Sequence, residues 1–293
     1  MSYLIPSDYQ KQIQTDNLNQ VTTTTPSIRI AAELAAQAEA ISYLVQKYDT
    51  SQEFTDTNAY NPALNYNAAD RVYLDAPAYS ASSAYTINSL ALQSGSVYLC
   101  TTAIVTPETF DPDHWELLGD QYDLFYAVYP YSVFDLFSMY NEGDMVWWNN
   151  HTYTSIIQTV PIDHEALIQF RTTNNVPYLN IFPNDPQQGT FYWNDNGPYT
   201  TPTGSLLNTV YFTPGDNRNQ QIVMYTIDIT LFHLHSRISP RNIPQLRMDR
   251  YEAAISWLKM AMKGFITADL VKLQPPQGGR IRFGFNIKNI NSY

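Results

Sequence analysis

The sequence predicts an α+β protein in which the two chain ends form a helical bundle, a large β-rich insertion separates them, and an extended arm follows. Three observations predict it. Residues 28–49 and 216–273 repeat apolar side chains at helical spacing. The stretch between them, 58–214, is dense in Tyr, Trp, Pro, Asn and Gly and alternates over short runs such as Val97-Tyr98-Leu99-Cys100. The tail opens with QPPQGG and then alternates as RIRFGFNIKN. The expected division is 1–57 with 215–273 as helical core, 58–214 as insertion and 274–293 as C-terminal arm.

Residues 1–24 begin with Tyr3, Leu4 and Ile5, allow a short helix from Pro6, and pass into TDNLNQVTTTT, which reads as an extended connector because β-branched Thr disfavours helix. Thr25, Pro26 and Ser27 then offer a cap and a first-turn proline for the helix IRIAAELAAQAEAISYLVQKYD. Its stripe is Ile30, Leu34, Ala38, Ile41 and Val45, with Ala31, Ala35 and Ala36 permitting close approach of another helix. One helix cannot bury that stripe alone, so its expected partner is the C-terminal helix pair.

Within the insertion, SLALQSGSVYLC (89–100) aligns without gaps on DMVWWNNHTYTS (144–155). Each reads as a strand, a two-residue turn (Ser94-Gly95, Asn149-Asn150) and a returning strand bearing Tyr98 or Tyr153, which is a hairpin signal. Two hairpin-based subunits are expected, 81–119 and about 137–205, with long loops across the breakers from Pro177 to Pro202. The first, through Pro107, Phe110 and His114-Trp115-Glu116-Leu117-Leu118-Gly119, resembles the small chitin- and cellulose-binding modules of bacterial hydrolases. That resemblance implies a fold, whereas sugar binding needs exposed coplanar aromatics, and Trp115 reads as a core plug. Trp147 and Trp148 place one ring on each face of a strand, one in a core and the other at an interface or on an exposed platform.

The C-terminal helix pair is bracketed by Pro240 and Pro244, and its second helix runs from Pro244 to Lys263 and stops at Gly264. In its first helix Ile222, Tyr225, Thr226, Ile229, Phe232 and His233 share a face that Val223, Ile227, Leu231 and Leu234 widen. Arg237, Arg241, Arg247 and Arg250 cluster about the joint, either as a solvated basic face or as contacts to an acidic partner surface or passing DNA. In the tail, Arg280 and Arg282 face one way and Ile281, Phe283, Phe285 and Ile287 the other, as in a strand that joins a neighbour's sheet or folds back on its own domain.

Composition narrows the function classes. The net charge of −11 divides unevenly: from Asp216 onward there are 11 Arg/Lys and 5 Asp/Glu, and before it 5 and 22. That excludes general nucleic-acid binding over the whole surface, and it fits either head-to-tail packing of opposite surfaces or an acidic body with a basic helix pair. The single Cys100 permits no intrachain disulfide or cysteine zinc site. MSYLIPSDYQ lacks the apolar core of a signal peptide, and no run approaches the ~20 apolar residues of a membrane span, so a soluble protein made in a reducing cytoplasm is expected. No HExxH, P-loop, GxGxxG or GxSxG pattern occurs, and His233 and His235 point apart on a helix. The pairs Asp111/Asp113 and Glu142/Asp144 sit in turns, where Asp bends the backbone. No enzyme, cofactor, metal or membrane partner is expected.

The chain ends, SYLIPSDYQKQIQTDNLNQV, the helix from Ile28, IVMYTIDITLFHLHSRI and RYEAAISWLKMAMKGFITADL, resemble the head-to-tail connector proteins of tailed bacteriophages, the Mu-type small helical adaptors. Tyr251, Ala254, Trp257, Leu258 and Gly264 match that family's Tyr-x-x-Ala-x-x-(Trp)-Leu pattern ending in Gly. The large insertion is a departure, and its aromatic, Asn-rich style resembles proteins of phages that infect Bacteroidetes, crAss-like phages included. The resemblance implies a structural virion protein of the neck: a homo-oligomeric ring, commonly of twelve subunits, beneath the portal protein. It joins the next ring or tail proteins and surrounds genomic DNA that passes without sequence recognition. The alternative expectation is a glycan-binding adhesion or decoration protein that uses the aromatic insertion.

Overall fold

The computed structural model describes residues 2–22, 25–128, 130–149, 151–160, 178–179, 181–186, 188–238 and 241–273, a mixed α+β chain with several small sheets. It opens with a 3-10 helix, Pro6–Lys11, that has proline in its first turn. Helix α1, Thr15–Thr22, occupies what the sequence suggests is an extended connector. Leu18 and Val21 bury themselves in the helical core, and that packing outweighs the weak helix propensity of Thr and Asn.

Helix α2, Pro26–Leu44, starts at the expected proline and ends at Leu44 rather than Asp49. Beyond it Tyr48 turns inward, where its hydroxyl accepts the Ala268 amide at 3.1 Å. The buried face of α2 also differs from the expected stripe. Glu33, Ala36, Ala40 and Leu44 point inward, while Leu34 and Val45 are 47% and 49% exposed. The cause is polar. Glu33 accepts the Tyr9 hydroxyl at 2.7 Å and Arg29 Nη1 at 3.1 Å, and Gln37 Nε2 donates to the Phe54 carbonyl at 3.1 Å. Polar groups with long-range partners take inward positions that counting apolar residues assigns elsewhere, although Glu33 Oε2 and Gln37 Oε1 are buried with no hydrogen-bond partner among the described residues.

Among its described residues the β region repeats one three-stranded motif three times, with β1 added to the first copy's sheet and a separate two-stranded pair. Strand β1 (Thr57–Ala59) runs parallel to β2 (Arg71–Tyr73), and β3 (Leu90–Gln93), β4 (Ser96–Cys100) and β5 (Trp115–Asp120) form an antiparallel sheet. β6 (Leu124–Ala127) pairs with β2, β7 (Met145–Trp148) pairs with β8 (His151–Ser155), and a parallel pair, β9 (Thr159–Val160) with β10 (Tyr178–Leu179), follows. A short helix α3 (Gly189–Tyr192) leads into β11 (Trp193–Pro198) on β8, and β12 (Phe212–Pro214) closes on β6. The first copy is β2-β6-β12, the second β3-β4-β5 and the third β7-β8-β11.

Identical hydrogen bonds prove the equivalence. YNPALNYNAADRVYL (60–74), YSASSAYTINSLALQ (79–93) and FDLFSMYNEGDMVWW (134–148) superpose without a gap. The hydroxyls of Tyr66, Tyr85 and Tyr140 accept the amides of Asn61, Ser80 and Asp135 at 2.8, 2.8 and 2.6 Å. The amides of Ala127, Cys100 and Ser155 donate to Asp70, Ser89 and Asp144, whose preceding residues Ala69, Asn88 and Gly143 return the bond. The ring pairs Tyr60/Tyr66, Tyr79/Tyr85 and Phe134/Tyr140 stack at 5.9, 5.2 and 5.5 Å, each met edge-on by the ring that opens the third strand: Phe212, Trp115 or Trp193.

The copies are nested. The second lies between β2 and β6, within the hairpin of the first, where Leu74 and Tyr122 exchange backbone bonds with Asp123 and Leu74 at its base. The third lies between β6 and β12. Two hairpin units are legible in the sequence, and the structure adds a third. The breaker-rich stretch expected to be long loops holds α3 and β11, because Trp193 pairs with Ser155 and fills the third core.

Helix α4, Gln220–Ile238, is buried around most of its circumference, from Ile222 to Leu234, and carries its inward polar residues by back-bonding: Thr226 and Thr230 donate to the carbonyls four residues earlier at 2.8 and 2.7 Å. Helix α5, Gln245–Lys263, follows Pro244 and ends at Gly264, whose φ of 81° is the left-handed cap. α2, α4, α5, α1 and the 3-10 helix share one apolar cluster that includes Leu44, Ile227, Leu231, Ala254 and Leu258.

Candidate functional site

A buried charge network joins the helical core to the first β copy. The Arg218 side chain, fully buried, donates from Nη1 to Asp8 at 2.7 Å and to the Tyr3 carbonyl at 2.9 Å, and from Nη2 and Nε to Asp216 at 2.8 Å each. The Tyr3 hydroxyl donates to Glu53, which also accepts the Asn219 amide at 2.8 Å. Arg71, from β2, donates to the Glu53 carbonyl and to Asn217 Oδ1, each at 2.6 Å. Burial alone would raise the Asp216 carboxyl, yet the hydrogen bond and charge of Arg218 hold it below the usual range. The same carboxylates outweigh the burial of Arg218 and raise its guanidinium. Burial pushes the Tyr3 phenol far up. This network is architectural. Asp216 beside Arg218 hints at it in sequence, but the partnership with Asp8 spans the whole chain and leaves no local signal.

The four arginines of the helix joint do not form one exposed cluster. Arg237 and Arg241 are exposed. Arg247 is 9% exposed and donates from Nη2 to the Gln12 carbonyl at 3.2 Å. Arg250 is half-buried, with Nη1 3.7 Å from Asp228 Oδ1. Helical spacing turns these two inward toward a buried carboxylate on α4. Burial raises the Asp228 carboxyl, and the charges of Arg250 and Arg247 oppose the rise. Arg280, Arg282, Phe283 and Phe285 lie outside the described residues.

Trp147 and Trp148 are both half-buried, neither a full core plug nor an open platform. Trp148 packs on Phe134 and Phe182 and donates to Asn184 Oδ1 at 3.1 Å. The rings that meet the stacked pairs edge-on are core instead: Trp115, Trp193 and Phe212 are 6%, 2% and 1% exposed. Asp111 and Asp144 accept the amides of Asp113 and Asn141 and shape turns. His233 meets Glu39 at 3.1 Å, and Glu39 also accepts the Tyr251 hydroxyl at 2.8 Å, so one carboxylate on α2 clamps α4 and α5. His235 bonds the Leu231 carbonyl at 2.7 Å, facing away from His233, and His164 lies outside the described residues. Among the described residues no three His, Cys, Asp or Glu side chains are grouped to hold a metal ion.

The outer face of α2 is the counterpart of its rotated core face. Ala31, Leu34, Ala35, Ala38, Ser42 and Val45 are exposed there, a charge-free strip along a helix. No protein-family model matches the chain, and no curated protein matches its sequence. Among the described residues no helix is long and apolar enough to cross a membrane.

Proposed function

We propose that this protein is a structural virion subunit, the head-to-tail connector of a tailed bacteriophage, which assembles as a ring of twelve beneath the portal protein. The observation that carries the proposal is that the four segments bearing the connector resemblance, separated by the whole β region, share one apolar core. That core leaves the charge-free outer face of α2 uncovered. In this reading the chain ends form the assembling bundle, and the β copies, akin in plan to chitin-binding modules, decorate its outside or touch the next ring or tail proteins. A channel wall drawn from the acidic excess of the chain repels DNA phosphates and lets the genome slide without sequence recognition. The subunit resides in the neck of the virion and does no chemistry.

The test is electron microscopy of the full chain mixed with the portal protein of the same phage. Rings stacked on portal support the proposal, and a chain that stays monomeric in that mixture overturns it. The burial of Trp115, Trp193 and Phe212 argues for structural use of the modules over sugar contact, which a glycan array checks directly.

A further inference from the structure

The three β copies act as controls for one another. At the first turn of the motif the amides of Ala63, Ser82 and Phe137 donate to the side-chain oxygens of Asn61, Ser80 and Asp135 at 3.0, 3.3 and 3.0 Å. The turn is the same in all three, yet the first copy fills it with Ala63 and Asn65 and the second with Ser82 and Ala84. The third places Phe137 and Met139 there, 69% and 56% exposed. The fold therefore asks for no bulky apolar group at these two positions; the other copies each expose one large apolar side chain elsewhere in the loop, Leu64 at 53% and Ile87 at 58%, and the third exposes two at one turn. Glu142, exposed on the same loop, stands where the other copies have Ala68 and Ile87. The loop is an apolar tip with a carboxylate beside it, in a region (58–214) that holds 15 Asp/Glu against 2 Arg.

A complementary feature lies on the helical core. Between α1 and the joint of α4 with α5 runs a groove of about 490 Å³, lined by Ile13, Val21, Ile238, Pro244, Leu246 and Arg247. Ile238 and Leu246 are 52% and 56% exposed. Among the described residues Arg247 Nη1 has no hydrogen-bond partner; the side chain is nine-tenths buried with Nη1 itself shut from solvent, and the charge of Asp228 acts on it from α4. A buried guanidinium N–H without a partner is costly, and a carboxylate is its strongest acceptor. Arg237 and Arg241, both exposed, add positive charge on the same joint.

We propose that loop 135–145 of one copy docks into this groove of the next copy, with Phe137 and Met139 against Ile238 and Leu246 and the Glu142 carboxylate toward Arg247. The contact joins two different surfaces, so its repetition yields a closed ring or a filament. It rests on the connector reading only for the premise that the chain self-associates.

The experiment uses the full chain, alone and with portal protein. Phe137→Ser with Met139→Ala writes the residues of the second copy into the third, so the fold and its melting temperature should stay unchanged. Self-association measured by sedimentation should weaken about tenfold or more, the scale of a lost interface anchor. Leu246→Ser should weaken it similarly. A Met139→Cys chain mixed with a Leu246→Cys chain should give mixed dimers with a bismaleimide, since Cys100 is fully buried. Oligomers that withstand the loop substitutions and yield no mixed dimer overturn the docking and leave the connector reading standing. A loop variant that loses only portal capture also overturns it, assigning the loop to portal. A wild-type chain that never self-associates, with or without portal, overturns both.

Discussion

Trp115 and Trp193 hold the same place in two copies of one motif: each opens a third strand, opposite Cys100 or Ser155, and each meets a stacked ring pair edge-on. Phe212, opposite Ala127, does so in the first copy. A phenyl ring therefore suffices for the geometry. Trp193→Ala should cost about 3–5 kcal/mol in denaturant unfolding, the range for emptying a large buried aromatic site. Trp193→Phe should cost well under half of that, because the smaller ring keeps the edge-on contacts.

The turn before each first strand holds a residue at positive φ: Ala69 at 69°, Asn88 at 68° and Gly143 at 91°. Only the third copy uses the residue that tolerates this region without a Cβ penalty. Ala69→Gly should raise stability by about 0.5–1 kcal/mol, the left-handed penalty less the entropy glycine adds to the unfolded chain. Thermal unfolding of the variant decides it, and a lowered melting temperature would show that the Ala69 methyl packs usefully.

The same three turns show why the fold was only partly legible. Copies two and three lie in register at one spacing, so 89–100 aligns on 144–155 by inspection. The first copy has its hairpin interrupted by the second and its third strand delayed by the third, so no contiguous stretch matches beyond 60–74. The start of α2 and both ends of α5 were plain from proline, glycine and apolar spacing at Pro26, Pro244 and Gly264, whereas α1 lies where an extended connector was expected. The inward face of α2 was not, because Glu33 and Gln37 point inward on the strength of partners at Tyr9 and Phe54, which local sequence cannot reveal. Arg247 and Arg250 misled for the same reason: their partners, Gln12 and Asp228, lie on other elements.

Glu39 ties three helices through Tyr251 and His233. Burial, then the Glu39 hydrogen bond, pushes the Tyr251 phenol up to about 12. Glu39→Gln should bring the Tyr251 titration down, readable by ultraviolet difference absorbance, and cost about 1–2 kcal/mol through weakened bonds to a charged acceptor. A Tyr251 titration that does not move would place its elevation entirely in burial.

Arg218 couples the N-terminus, α4 and the β region through Asp8 and Asp216, and its removal leaves Asp216 without its ion-pair partner and buried Asp8 with Lys11 alone, 3.2 Å away. Arg218→Met should destabilise by about 3–5 kcal/mol, as for breaking a buried pair from one side. The pH signature follows from Asp216, whose folded carboxyl lies below its ordinary value of 3.8. A depressed acid contributes stability that is fully present above the ordinary value and is lost as pH falls through the folded one. In the wild type that loss belongs to the range below about pH 4, set by an ordinary Asp. In Arg218→Met the guanidinium's hydrogen bonds and charge are gone, while burial still raises the Asp216 carboxyl and the backbone amide of residue 218 and Gln220 still bond it, so its depression shrinks and the variant should lose less stability than the wild type on acidification. Denaturant midpoints at pH 7, 5 and 4 for both proteins measure this, and parallel profiles would show that Arg218 does not set the ionisation of Asp216.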